Sequence, residues 1–409
     1  MKLQLDINRY RIQEKALKKR SHITLLIFFV TFLIMNPIFF YGDAIAVVGK
    51  YGKLVTALIG IMVLQKSPMQ IKYFAVRHIW LILFWVLCVF FMFLRIIEYG
   101  IDFELIQNNI LFMVFIYFLY LLSTTFAIRH RVPNYYFFKY LVLSININFF
   151  FWLIIAFVFG ISLWTEGPRT GLKLFFESYV ILGIVSSTAA IANFSLMKYK
   201  TIKSGKMNFL MFVLYSFFVI MANSRNAQLI LGVFLLLNLW PYLKKIAINY
   251  IYVFVVGIAV LLVFFFSGDM LLNENVKDFT TGRSTIWFYI YEHYLKHSIL
   301  LGEGIFGLNN TILIANTDDS NYYFSKIDTL YFHSSFIEAM TAAGLIGLLF
   351  FIVFIIKCLR EKKRDNVVII IISMLVGGLF ESFLVQPTMF TAFLFWYLII
   401  GRKRSLIRT

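Results

Sequence analysis

Apolar stretches of about 20 residues follow one another along almost the whole chain, and that succession leaves few folds open to it. A bilayer core of ~30 Å needs roughly 20 mostly apolar residues per helix, and about twelve windows meet the requirement. They fall at 23–41, 45–64, 79–97, 109–127, 140–163, 179–197, 207–222, 227–243, 247–266, 335–357, 367–385 and 388–400. Lipid offers no partner to a backbone N–H or C=O, so each span must close its own hydrogen bonds as a helix. The expected fold is an all-α, polytopic membrane helical bundle with a large outward-facing loop carrying short helices. A water-soluble fold fails on composition: 61% hydrophobic and 14% charged residues in 409 exceed what one core of that size can bury.

The formal net charge of +18 invites a nucleic-acid reading, but its placement argues against one. Seven of the 38 Lys and Arg fall in residues 2–20, and others crowd into "KYKTIKSGK", "REKKR" and the tail "RKRSLIRT". These segments alternate with loops that hold few or none, which is the positive-inside pattern with both termini cytoplasmic. Membrane lipid headgroups, not nucleic acid, are the partner such loops imply. The first apolar window ends "MNPIFFYGD" without a small-residue cleavage site, so it reads as an uncleaved span. The organisation is then a basic tail at 1–21, spans one to nine over 22–266, an extracytoplasmic loop at 267–334, spans ten to twelve over 335–400, and a basic tail at 401–409. Cys88 and Cys358 lie in or beside spans, with no disulfide framework and no metal-ligand spacing.

On that topology the outward loops are 42–44, 98–108, 164–178, 223–225, 267–334 and the Gln386-Pro387 turn. The 68 residues of 267–334 are more than a simple connection needs. From Arg283 to His297 the residues Trp287, Ile290, Tyr291 and Tyr294 recur at helical spacing, giving one amphipathic helix with Thr280 or Thr281 as cap. Gly302, Gly304 and Gly307 punctuate its far end. The loop holds eight acids against four Lys and Arg, so its overall field repels anions. An anion bound there must be gripped by a few aimed donors.

Four outward features stand apart. Arg169 and Lys173 lie in "WTEGPRTGLKLFFES"; Arg225 occupies the tight "NSR" turn; Arg283 begins a helix whose free N–H groups favour an anion; His333 sits in "DTLYFHSSFIEA" between Asp328 and Glu338. Each also has an ordinary reading. Arg169 can pair with Glu166 or Glu177, Arg225 with the intramembrane Glu381, and Arg283 with Asp278, while a histidine at an interface is often only a polar anchor. Glu292 and Lys296 read as a surface pair, and Asp318-Asp319 as a solvated turn rather than a metal site. The combination says more than its parts: three arginines from three outward segments suit a bidentate grip on phosphate oxygens, beside a histidine and carboxylates fit for general base work. No Walker sequence occurs, and "GEGIFGLNN" lacks the Lys-Ser/Thr pair, so the energy for an outside reaction must come with the substrate.

"EGPRTGLKLFFES", "NSRNAQL", "TTGRSTIWFYIYEHYLKHSILLGEGIFG" and "HSSFIEAMTAAGLIGLLFFIV", in that order, resemble the bacterial O-antigen ligase and Wzy-type polysaccharide polymerase superfamily across roughly 164–357. The resemblance implies a bacterial cytoplasmic-membrane glycosyltransferase that uses an undecaprenyl-pyrophosphate-linked oligosaccharide, needs no metal or other cofactor, and works beside a flippase and chain-length regulator proteins. It implies that Arg169, Arg225 and Arg283, with Lys173, hold the pyrophosphate, and that His333, Asp328 or Glu338 takes the acceptor proton. Ser334 stands where the family commonly carries Asn. A polymerase acting on lipid-linked repeat units is the favoured expectation and a ligase serving another acceptor the alternative. A flippase for the same lipid would call for charges deep in several helices and a repeat, neither of which the chain offers.

Overall fold

The computed structural model describes residues 26, 43–129, 133–165, 170–176, 178–198, 205–239, 283–292, 299–308, 332–362, 366–386 and 390–401. Among them every regular element is a helix, apart from one isolated bridge between Trp164 and Leu172. Five helices are long and apolar enough to cross a membrane, or six if one sharply bent pair is a single span. The chain is therefore an all-α, multi-pass membrane protein, and the windows at 23–41, apart from Leu26, and 247–266 lie outside the described residues.

The helices group into two compact units. The first holds α1 (Asp43–Leu64), most of α4 (Phe103–Arg129), α5 (Pro133–Val158), α6 (Tyr179–Met197), α7 (Gly205–Met221), most of α8 (Arg225–Leu239) and α12 (Phe390–Ile400). Its centre is α6, buried along nearly its whole length, where the run of Ser, Thr and Ala in "SSTAAIAN" lets neighbouring helices approach closely. A Cβ on Gly183 would meet Ser224 Cβ at 2.7 Å, so α6 and the start of α8 touch almost backbone to backbone. Without water to drive apolar association, such packing and buried polar contacts hold the unit. Thr188 and Thr391 share a hydrogen bond of 3.0 Å, the Tyr215 hydroxyl donates to Asn146 at 2.7 Å, and Phe137 stacks on Tyr397.

The second unit holds α3 (Ile79–Tyr99), the start of α4, α9 (Arg283–Ile290), α10 (Ser335–Glu361), α11 (Val367–Gly378) and the short 3-10 turn η1 (Ser382–Val385). The short helix α2 (Met69–Arg77) follows α1 after a bend of 112° that lies just past the second apolar window, 45–64, which α1 covers. Likewise the window at 367–385 stops being α-helical at Gly378.

The decisive feature of this unit is a break inside α10. Gly344 has φ 66° and ψ −179°, a conformation open to glycine and costly for other residues. A broken helix in lipid leaves peptide groups unsatisfied, and here the segment 299–304 supplies their partners. Ile299 O accepts from Leu345 N at 3.0 Å, while Glu303 N and Gly304 N donate to Thr341 O and Ala342 O, each at 3.0 Å. Gly302 packs so closely on the Ala342 carbonyl that a Cβ has no room. "LLGEG" therefore runs alongside the middle of α10, and its glycines permit that approach besides ending a helix. We expect Gly344→Ala to lose ~1–3 kcal/mol to backbone strain alone, and more because the new methyl overlaps the Leu300 carbonyl. An unchanged melting temperature in detergent would contradict this account of the break.

At the other end of α10, His78 sits buried in the turn between α2 and α3. Burial first, then Arg77, Lys357 and Lys362, push its pKa down to about 3. The folded protein keeps the ring neutral while the unfolded chain takes up a proton near 6.5, so the site costs nothing at higher pH and destabilises the fold progressively as pH falls toward 3. Acidification from pH 7 to 4 should lower the melting temperature, and less so in His78→Phe, which keeps the ring packing against Phe74 and Phe354.

Candidate active site

In the first unit, two of the outward motifs are laced together. The sides of the 164–173 turn are tied by the Trp164–Leu172 bridge, by Thr165 N to Gly171 O at 3.0 Å, and by Gly171 N to the Thr165 hydroxyl at 3.0 Å. Leu172 N then donates to Met221 O at 2.9 Å, and Asn223 Nδ2 reaches Thr170 O at 3.4 Å. Gly171 lies flush against Ala222. Asn223 takes φ 52°, which Asn tolerates better than most residues, and this reverses the chain between α7 and α8. Half-buried Lys173 and exposed Arg225 are thus carried by segments in direct contact. Arg169 falls between the two sides of the turn, outside the described residues.

In the second unit, a denser cluster forms where α9, the start of α10 and the segment after α11 meet. The Glu381 carboxylate bridges two groups: Oε1 accepts from Arg283 Nη2, and Oε2 lies 3.3 Å from His333 Nδ1. The Arg283 and Glu381 side chains are 17% and 12% exposed, enough shielding to keep the pair from being averaged out by solvent, and His333 is 36% exposed. In the tautomer with its proton on Nδ1 the ring donates to this carboxylate and presents Nε2 as an acceptor.

The turn carrying His333 is strained and held from several sides. His333 has φ 52°, a left-handed conformation that costs a β-carbon residue ~1–2 kcal/mol. The residue before it is clamped: Phe332 N donates to Glu338 Oε1 at 3.2 Å, and Phe332 O accepts from Trp287 Nε1 at 2.7 Å. Beyond the turn, Ser335 N and Oγ both donate to Glu381 O, and Leu384 N donates back to Ser335 Oγ. Strain of this kind persists where the surroundings over-determine it, which is a common property of functional sites. Glu338 is 1% exposed in the first turn of α10, where the helix dipole favours an acid, and its Oε1 also accepts from Ser382 Oγ at 3.4 Å. Its engagement with backbone suits holding the turn rather than taking protons.

The sequence thus named most of this cluster and missed its hub. Glu381 entered only as a partner for Arg225; its contacts here are with Arg283 and His333. The available signal was a carboxylate in an otherwise apolar window, which lipid tolerates only for a reason. Of the helical stripe begun by Trp287, Trp287 and Ile290 are buried, while Tyr291 is half-buried and falls just past the α-helical end at Ile290. Thr280, Thr281, His293, Tyr294, Lys296, His297, Asp278, Asp318, Asp319 and Asp328 lie outside the described residues. No group of three or more metal-ligating side chains occurs among the described residues.

No curated protein matches the chain. A family model described as O-antigen ligase matches residues 210–352, a span that begins in α7, includes the Arg225 turn and α9, and ends within α10 past the Gly344 break. Over that span the chain is similar to the O-antigen ligase family, the superfamily that its motifs resemble.

Proposed function

We propose that the protein is a polysaccharide polymerase, transferring a glycan from undecaprenyl pyrophosphate to the non-reducing end of a lipid-linked repeat unit on the outer face of the bacterial cytoplasmic membrane. The observation that carries this reading is the Glu381 carboxylate joining Arg283 to His333 inside the matched family region and just beyond it. Such a bridge couples a cation suited to a departing pyrophosphate with a ring oriented as a base. His333 Nε2 takes the proton of the acceptor hydroxyl as its oxygen attacks the anomeric carbon. The bond to the pyrophosphate oxygen breaks, and Arg283 neutralises the charge that develops there; the resemblance assigns the same role to Arg169, Arg225 and Lys173. A single displacement inverts the anomeric centre. Glu381 and Glu338 are positioning residues, one for ring and guanidinium, the other for the strained turn.

That the matching family is one of O-antigen ligases favours one further reading, a ligase that delivers the glycan to another acceptor. Incubating purified protein with undecaprenyl-pyrophosphate-linked repeat units separates the two. A ladder of longer lipid-linked products supports the polymerase. Products formed only when a different lipid or polymer acceptor is added support the ligase.

A further inference from the structure

Within the second unit, a cavity of about 340 Å³ opens between the end of α3, the segment 301–308 and the first half of α10. That volume lies in the range of small-ligand pockets, ~300–1,000 Å³. At its floor is Arg95, 4% exposed on an apolar helix, where an arginine marks function more often than not. Its Nη1 lies 3.3 Å from Asp102 Oδ2 and its Nε 3.4 Å from Glu303 Oε2, and its guanidinium sits 5.7 Å over the Tyr99 ring. Asp102 is itself fixed by capping α4, its Oδ1 accepting from Leu105 N at 3.0 Å. Glu98 and Tyr99 form an exposed rim, and Thr341 lines the α10 side.

We propose that this cavity is the acceptor subsite and binds a neutral sugar ring, an inference that rests on the reading of the protein as a glycan transferase. The charged groups lining it are the carboxylates of Glu98 and Glu303 and the Arg95 guanidinium, which also pairs with Asp102, so the site disfavours phosphate and does not duplicate the pyrophosphate grip. Arg95 already occupies the space between Asp102 and Glu303, which disfavours a metal ion between them. Carboxylates that only accept, beside a guanidinium that only donates, complement hydroxyl groups that do both. The Tyr99 ring offers an apolar face to the C–H face of a sugar. Location agrees with chemistry: Thr341 on the cavity wall is three residues along α10, a rise of ~4.5 Å, from Glu338, which clamps the turn carrying His333. The break at Gly344 and the docked "LLGEG" segment create the space, because Glu303 N and its carboxylate are both placed by that docking.

The test uses the full chain in detergent and, as probe, the repeat-unit oligosaccharide freed from its lipid by mild acid. Wild type should bind it, and Glu303→Gln, which keeps side-chain volume, should weaken binding about tenfold or more. Glu98→Gln, on the exposed rim, should weaken it less and serves if Glu303→Gln does not fold. Inorganic phosphate should not compete. Oligosaccharide binding that is absent from wild type, or equal in wild type and both variants, would overturn the subsite. Turnover of lipid-linked donor separates this from the transfer reading. Wild type that binds the oligosaccharide at Glu303 yet never transfers sinks the enzyme reading and leaves the subsite. Wild type that transfers, with unchanged acceptor KM in both variants, sinks the subsite alone.

Discussion

His333→Ala should lower the rate of glycan transfer by about 10²–10⁴-fold, the usual loss when a positioned general base is removed. Donor binding should change little, because the arginines remain. The backbone gives this variant a useful control. His333 occupies φ 52°, which Asn adopts with less strain than most residues, so His333→Asn should keep the turn and the melting temperature while remaining almost inactive. If His333→Asn were as active as wild type, the ring would be an interfacial anchor, the ordinary reading of such a histidine.

The second large effect concerns the pair that Glu381 joins. Arg283→Ala should cost about 10²–10³-fold, comparable to losing one preorganised donor in a transition-state site. Glu381→Gln should lower kcat while leaving donor KM within a few-fold, since the glutamine keeps the shape but no longer fixes both partners. Because one carboxylate serves both Arg283 and His333, the losses should not multiply: the double variant should deviate from additivity by about 0.5–3 kcal/mol. Strict additivity would show that the guanidinium and the carboxylate act independently. A fall in KM alone, or a collapse in melting temperature without a rate effect in the folded fraction, would assign the pair to structure.

Much of this architecture follows from elementary patterning. Apolar windows at 79–97, 109–127, 140–163, 179–197 and 335–357 correspond to α3, α4, α5, α6 and α10, because satisfying backbone groups in lipid is a local requirement and helices meet it locally. Arg283 and Trp287 were legible for the same reason, as positions on one short amphipathic helix. What was not legible depends on distant partners. "TAAGLIG" reads as uninterrupted span, since glycine is common in membrane helices, and only the segment 299–304 lying beside it makes a break at Gly344 affordable. Glu381 is an acid in an apolar run until α9 and the start of α10 are folded against it. Arg95 lies near the end of its span, where a charge reads as snorkelling, and its carboxylate partners are 7 and 208 residues away along the chain.

Most directly, the account stands on the initial rate at which purified wild type and His333→Ala, reconstituted in the same vesicles, lengthen an undecaprenyl-pyrophosphate-linked repeat unit. Wild type should give products that grow by whole repeat units with release of undecaprenyl pyrophosphate, and the variant should give at least ~10²-fold less at equal folded protein. Equal rates from the two proteins, or wild type that moves the lipid-linked glycan across the bilayer without joining any, would contradict it.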